Sequence, residues 1–248
     1  MPQWLTGELA GAIGQGVIVT VVLTLITSVT SFVVGVLAAI GRRSRRRWAR
    51  RVAAAFVDTF RNVPALILLL FMAFAVPNVF DADLRRRLFF DNWLIDLAGA
   101  ITTLPIPYYA FAAVVALTAN TGAHLAEIVR FGMDAVPTER IDAARTLGAS
   151  ARTAYFSVTM PDGVRIAFPA VINRLIHNLK NTALVGFVAV PDAFQEIQGA
   201  ITKTFEATEL LVFAAGLYLA LATIFEWGLR QLESALWRGR PIDRTIDV

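Results

Sequence analysis

A short polar stretch, NRLIHNLKNT at residues 173–182, interrupts a part of the chain that is otherwise apolar. Because successive helix residues turn by about 100°, positions i, i+4, i+7 and i+8 lie on one stripe. Asn173, His177, Lys180 and Asn181 occupy those positions, and Thr182 widens the stripe. In a bilayer each charge would cost about 2.5–3.5 kcal/mol, so such side chains turn toward the interior of a helix bundle or toward water. The stretch therefore predicts a water-accessible route for a polar solute.

Hydrogen bonding between helices is the alternative explanation, and it accounts for one or two polar residues better than for seven in ten. A second cluster, Asn120, His124 and Glu127, has the spacing i, i+4 and i+7, with Arg130 one turn further. We expect this cluster to line the same route. Glu127 could instead pair locally with Arg130, or with a cation of the polar stretch. Two histidines without further ligands do not make a metal site, so we expect none.

The composition indicates an integral membrane protein. The 248-residue chain is 56% hydrophobic and 17% charged, with a mean hydropathy of +0.60, whereas soluble domains are about 25% charged. No part resembles a separate soluble unit, so we expect one all-α membrane domain over residues 1–248. The absence of cysteine excludes disulfides and thiolate chemistry. Basic residues cluster beside apolar runs, as in membrane flanks, and do not predict a nucleic-acid partner.

Five apolar segments are long enough to cross a bilayer, which takes about 20 residues. They lie at about residues 17–40, 62–80, 108–129, 166–190 and 210–229. Seven arginines between Arg42 and Arg51 follow the first segment, and no basic residue precedes it. Because cytoplasmic flanks carry the excess of Lys and Arg, the N-terminus is expected outside and the C-terminus in the cytoplasm. Without a basic start the first segment does not resemble a cleavable signal peptide, so we expect it to be retained.

Residues 130–165 then form a polar loop in the cytoplasm, with signals for two short helices. Thr138 could cap the first helix, Glu139 would place negative charge at its positive end, and Gly148 suits the left-handed position that ends a helix. Ser150 offers a second N-cap, and Pro161 is expected to end the second helix or to follow it. On these signals alone, an ordinary connector is as good an interpretation as a docking surface.

The loop resembles the EAA loop of ABC-transporter permease subunits. The matching positions are Asp142, Ala143 and Ala144, then Gly148, then the pair Met160 and Pro161. The flanking stretches AEIVRFGMDAVP and PAVINRLIHNLKNTALV resemble the polar amino acid branch of that family, as do the first two apolar segments. The chain departs from the pattern in having Glu139-Arg140 for Gly-Gln, and K-N-T-A for K-D-T-S.

The resemblance implies a type I, MetI-like permease fold and a subunit of an ATP-driven importer in the cytoplasmic membrane of a bacterium. Its solute would be a polar amino acid, such as glutamate, glutamine or a basic amino acid. The implied partners are a second permease chain, identical or homologous, two ABC ATPase subunits and an external solute-binding protein. The loop residues implied to dock on the ATPase are Glu139, Arg140, Ile141, Asp142, Ala143, Ala144, Arg145, Leu147 and Gly148.

The chain contains no G-x-x-x-x-G-K phosphate loop, so we expect ATP and Mg²⁺ on the ATPases and no cofactor here. Three alternatives remain: an importer of the same architecture for another small solute, an intramembrane enzyme using His124 and Glu127, and a membrane scaffold. The sequence HLAE lacks the H-E-x-x-H zinc spacing, and no serine stands in a G-x-S-x-G context, so the enzyme is disfavoured. The scaffold does not account for the polar stripe.

Overall fold

The computed structural model describes residues 7–90 and 108–238, apart from the side chain of Glu8. Every regular element within these ranges is helical. The helices are α1 (Gly7–Arg42), α2 (Arg47–Asn62), α3 (Ala65–Asn78), α4 (Ala82–Arg85), α5 (Tyr108–Asp134), α6 (Thr138–Thr146), α7 (Ala151–Ala154), α8 (Met160–Thr182), α9 (Ala193–Thr204) and α10 (Ala207–Leu236). Most of the predicted external segment 81–107 and the last ten residues of the expected cytoplasmic C-terminus lie outside the described residues.

The spans differ in part from the predicted boundaries. Within the described ranges, three helices are apolar and long enough to cross a membrane: Leu9–Arg42, Tyr108–Asp134 and Ala207–Leu236. The pair α2 and α3 is bent by 108° and can form one broken span, so that the predicted second segment begins at the break. Pro64 has no amide N–H to extend α2, and it directly precedes α3. The polar stretch keeps α8 from resembling a lipid-facing span by composition.

Helix α5 is the centre of the bundle, and it packs against α1 on one side and α8 on the other. Its packing faces are rich in alanine and glycine, which let helix backbones approach closely in membranes. A methyl group added to Gly132 would lie 2.3 Å from the carbonyl oxygen of Gly163 on α8. One added to Gly163 would lie 2.5 Å from Cα of Met133. The two helices are therefore in backbone contact, which only glycine at both positions permits.

The segment from α6 to α8 confirms two of the predicted helix signals and corrects two. Gly148 has φ +90° after α6, and the Ser150 hydroxyl accepts from the backbone N–H of Thr153 at 3.1 Å at the start of α7. The prediction that Thr138 caps α6 is wrong. Pro137 is the residue that precedes the helix, Thr138 is already helical, and no side chain caps the helix. Pro161 does not end a helix either. It lies in the first turn of α8, where a missing N–H costs little, and a π-helical turn (Tyr155–Thr159) joins α7 to α8.

The chain beyond α8 turns back toward the start of α1. A 3₁₀ turn (Ala183–Val188) leads to Asp192, a fully buried residue whose carboxylate accepts from the backbone N–H of Gln195 at 2.9 Å and so caps α9. Its second oxygen accepts from the Tyr218 hydroxyl of α10 at 2.9 Å. Burial raises the pKa of Asp192 to about 6. The next amide, of Ala193, donates to the Thr20 hydroxyl of α1 at 3.1 Å, so this corner links three helices.

Candidate functional site

A cavity of about 450 Å³ opens where α2 breaks into α3. Helix α5 and the polar stretch of α8 form its other walls. Its lining residues are Arg61, Asn62, Val63, Pro64, Ala65, Leu66, Asn120, His124, Arg174, His177, Asn181 and Leu184. Four of the eight residues predicted to line a solute route belong to this set, namely Asn120, His124, His177 and Asn181. The structure thus brings together polar groups from α5 and α8 that are more than 50 residues apart in sequence.

Asn120 holds the walls of the cavity together. Its side-chain amide donates to the carbonyl oxygens of Phe60 at 2.9 Å and Val63 at 3.3 Å. Those carbonyls are left without helical partners because α2 ends at Asn62. Its side-chain oxygen accepts from Nη2 of Arg174 at 2.7 Å. One residue of α5 therefore fixes both the helix break and the guanidinium that faces it.

Arg174 is the charged residue that α8 contributes to this wall, and it is not one of the predicted route residues. Besides the Asn120 contact, its Nη1 lies 3.3 Å from Nδ1 of His177, and its Nε is buried without a hydrogen-bond partner. Arg61, which the pattern missed, adds a second guanidinium from the last turn of α2. The sequence feature that could have identified Arg61 is its position two residues before Val63-Pro64, because a helix break there would turn its side chain inward.

Glu127 lies one turn beyond His124, outside the lining of the cavity. Only 8% of it is exposed, and its carboxylate pairs with Arg42 of α1 and, at 2.9 Å, with Arg130. Arg61 approaches it at 3.8 Å. The local pair with Arg130 is thus present, whereas no ion pair joins Glu127 to the cations of the polar stretch. Glu127 binds together the arginine-bearing ends of α1, α2 and α5.

Another part of the polar stretch forms hydrogen bonds inside the bundle. Asn178 is fully buried, accepts from the Thr121 hydroxyl of α5 at 2.8 Å, and donates to the Thr27 hydroxyl of α1 at 2.7 Å. Thr182 is also buried, and its hydroxyl donates to the carbonyl oxygen of Leu179 at 2.7 Å. The remaining predicted route residues, Asn173 and Lys180, are exposed and lie outside the cavity lining.

Helix α6 stands out from the bundle with little of its surface covered. Seven of the nine predicted docking residues are exposed: Glu139, Arg140, Asp142, Ala143, Arg145, Leu147 and Gly148. Ile141 and Ala144 are half-buried, and Leu147 is 90% exposed. Arg140 pairs with Asp162 of α8 at 2.8 Å, which fixes α6 against the start of that helix. Within the described residues, no group of three His, Asp or Glu side chains is placed to hold a metal.

The sequence relatives of this chain are amino acid permeases. It is 27% identical over 218 residues to the L-cystine transport system permease protein TcyL of Bacillus subtilis, which covers 88% of this chain and 84% of that one. It is 28% identical to the probable glutamine ABC transporter permease protein GlnP of the same organism, over 88% of this chain and 91% of that one. The arginine transport system permease protein ArgU of Corynebacterium glutamicum is 29% identical, over 89% of this chain and 66% of its own.

Solved structures share the fold. A crystal structure of an amino acid ABC transporter with histidines superposes with a TM-score of 0.74 at 24% identity, covering 92% of this chain and 95% of that one. The MetNI methionine ABC transporter in an inward-facing conformation gives a TM-score of 0.68 at 21% identity, covering 94% and 100%. The predicted all-helical, MetI-like fold of type I ABC importers is therefore confirmed.

A family model settles the classification. It describes binding-protein-dependent transport system inner membrane components and matches residues 31–238, which is most of the chain. The relatives are transport permeases, so the predicted resemblance and its class of function are confirmed. The chain belongs to the family of inner membrane components of binding-protein-dependent transport systems.

Proposed function

We propose that this chain is one of a pair of membrane-spanning subunits in an ATP-driven importer for a polar amino acid. The observation that carries the proposal is the open cavity at the α2–α3 break, where polar and cationic groups from three helices line one space beside apolar helix surfaces. Polar groups at membrane depth mark solute pathways because lipid cannot solvate them. Relatives named for cystine, glutamine and arginine transport support an amino acid as the solute.

In the proposed topology five spans cross the cytoplasmic membrane of a bacterium, with the N-terminus outside and the C-terminus in the cytoplasm. The α2–α3 pair is the second span and α8 the fourth. Arg43 of α1 pairs with Asp134 of α5, which brings the arginine-rich segment and the start of α6 to the same side of the bundle. Because Lys and Arg favour the cytoplasmic side, this supports a cytoplasmic α6.

Helix α6 is the proposed docking element for an ABC ATPase. Its exposed residues, and Leu147 in particular, offer surface that nothing within the described chain covers. ATP and Mg²⁺ would be bound by two partner ATPases, with no cofactor on this chain, and an external binding protein would deliver the solute. A second permease chain completes the assembly. ATP-driven movement of α6 would then alternate the access of the cavity between the two sides of the membrane.

The proposed solute contacts are the cavity residues Asn120, His124, His177 and Asn181. The exposed residues Asn173 and Lys180 would continue the polar route along α8. Glu127 and Thr182 would shape the route from outside the cavity, through the Arg42 cluster and the buried end of α8. The alternative of an intramembrane enzyme using His124 and Glu127 gains no support, because arginines already occupy the Glu127 carboxylate.

The test is solute-stimulated ATP hydrolysis by the complex reconstituted with its ATPases and its binding protein in lipid vesicles. Stimulation by an amino acid supports the proposal, and stimulation by none would overturn it. Ala144→Arg should abolish stimulation, because a long charged side chain enters the docking surface. Gly148→Val should do the same, because a β-branched residue strains at φ +90°. Ala82→Arg, which adds the same side chain at an exposed site on α4, should leave stimulation unchanged.

A further inference from the structure

We propose that the cavity selects amino acids with an acidic side chain and rejects those with a basic one. The inference rests on the proposed function, since it names the solute class of the same cavity. It starts from the charges that line the space. Arg61 and Arg174 contribute two guanidinium groups, His124 and His177 contribute imidazoles, and no Asp or Glu is among the lining residues.

The carboxylates nearest in the fold offset only a small part of this charge. Glu127 is engaged by Arg42 and Arg130, and only its 3.8 Å approach to Arg61 extends toward the cavity. Asp58 lies 3.7 Å from Arg42 and 59% of its side chain is exposed. A solute in the cavity therefore meets a positive field that arginine side chains cannot lose by deprotonation.

Of the two guanidinium groups that line the cavity, that of Arg174 is the less compensated by nearby negative charge. Its two polar neighbours, the Asn120 amide oxygen and a ring nitrogen of His177, are neutral acceptors at best, and none of the ion pairs among the described residues involves it. A guanidinium away from bulk water is stabilised strongly by a carboxylate, because charge-assisted hydrogen bonds are about twice as strong as neutral ones. Asn120 also holds the guanidinium in place, which reduces the entropy lost when a carboxylate binds.

The ammonium group that every amino acid carries can be accommodated without an acidic partner. Asn181 and Asn62 line the cavity, and the side-chain oxygen of neither accepts a hydrogen bond within the described chain. Neutral amide oxygens can accept from one ammonium group. A second cation, on a lysine or arginine side chain, would add repulsion from Arg174 without gaining a partner. A second carboxylate would instead be attracted by the two guanidinium groups of the lining, Arg61 and Arg174.

The direct test omits the binding protein, which selects solutes by itself. Binding of radiolabelled L-glutamate, L-glutamine and L-lysine to the permease–ATPase complex in lipid nanodiscs is measured by equilibrium dialysis. Glutamine has nearly the shape of glutamate, so their difference isolates the charge. We expect glutamate to bind about tenfold more tightly than glutamine, and lysine to bind most weakly. Equal or tighter binding of lysine, or no binding of glutamate, would overturn the inference.

Four variants locate the selection. Arg174→Met should bring glutamate and glutamine to within about twofold, and Arg174→Lys, which keeps the charge, should retain most of the preference. Arg61→Met should reduce it less than Arg174→Met, because Glu127 already offsets part of that charge. If Arg174→Met fails to assemble, the inference is tested by the other two variants. Arg61→Met must then show a reduced preference for glutamate over glutamine, and Arg174→Lys must still bind glutamate, glutamine and lysine in the same order of affinity. Lys203→Met, which removes an exposed cation of α9 outside the cavity, should change nothing.

The outcome separates this inference from the proposed function. Unchanged preference in Arg174→Met, or a preference for lysine, overturns the acidic selectivity even when the full system still shows stimulated ATP hydrolysis. Loss of stimulation by every amino acid in the full system removes the proposed function itself.

Discussion

The two faces of α8 differ in how their polar groups are satisfied, and the buried face is the more apolar of the two. On the buried face, Gly163 touches the α5 backbone, and Asn178 joins Thr27 to Thr121 through its side-chain amide. On the open face, Asn173 and Lys180 are exposed, and no helix of the described part of the chain covers them. On α8, a polar residue at membrane depth therefore indicates a solute route where the bundle leaves its hydrogen bonds unmade.

This difference reconciles the two explanations that the sequence left open. Hydrogen bonding between helices accounts for Asn178, and Thr182 is satisfied within its own helix. A polar route accounts for Arg174 and His177, which line open space. Both explanations hold for one ten-residue stretch because each residue of an α-helix is rotated by about 100° from the one before it, so that neighbours in sequence can lie on different faces.

The largest expected effect comes from filling the contact between α8 and α5. Gly163→Ala places a methyl carbon 2.5 Å from Cα of Met133, and because the obstacle is backbone, the helices must separate. We expect no monodisperse protein by size-exclusion chromatography in detergent. Gly216→Ala, in α10 with nothing within 4 Å, should elute normally. A normal elution of Gly163→Ala would show that the buried face tolerates loosening.

The buried network beyond α8 predicts a pH effect. Burial raises the folded-state pKa of Asp192 from 3.8 to about 6, so the folded protein retains this proton over a range in which the unfolded chain has lost it. The stabilising contribution is complete below about pH 4 and is lost as pH rises through about 6, a total of up to about 3 kcal/mol. Thermal melts from pH 4 to pH 7 should show the native protein losing stability as pH rises, whereas Asp192→Asn should not show this loss. Parallel curves would contradict the assignment.

A smaller loss is expected from Asn178→Leu. The substitution removes the acceptor of the Thr121 hydroxyl and a donor to Thr27, and interhelical bonds of this kind contribute about 1–2 kcal/mol together. The thermal midpoint in detergent should fall, and Asn173→Leu on the open face should leave it nearly unchanged. Equal falls for both variants would erase the distinction between the faces.

The smallest effect on stability, and a larger one on transport, is expected on the open face. Lys180→Met removes an exposed cation that pairs with no other described residue, so stability should change by less than about 0.5 kcal/mol. Uptake into vesicles should nevertheless fall, and uptake of acidic amino acids should fall more than uptake of basic ones, because one cation leaves the route. If the complex dissociates and transport by the remaining assemblies is intact, Lys180 belongs to a subunit contact.

Local signals in the sequence predicted local structure correctly. Gly148 ends α6 in a left-handed conformation, and Ser150 caps α7. Long-range partners could not be predicted. Nothing near Glu127 indicates that Arg42, 85 residues earlier, would neutralise it, because that contact depends on how α1 packs on α5. Pro161 was misread since a proline in a first turn and one after a helix have the same local pattern.

The same limit applied to the cavity. The spacing of Asn120 and His124 predicted a shared face, and they do share the cavity wall. Spacing on α8 could not show which side of its stripe faces open space, because that depends on which neighbours cover the helix. The place of Arg61 in the lining could not be predicted for a related reason, because it depends on the 108° bend between α2 and α3.

The glycine contact between α5 and α8 has a mechanical consequence. Helix α6 follows the end of α5 and leads, through α7, to the start of α8. Gly132 contacts Gly163 close to these two connections. Because the backbones are in contact, a displacement of α6 would tilt α5 and α8 together as one rigid unit about this point. Asn120 lies 12 residues from Gly132, a lever arm of roughly 18 Å. A tilt of about 5° would displace Asn120 by about 1.5 Å, more than its 3.3 Å bond to Val63 can absorb.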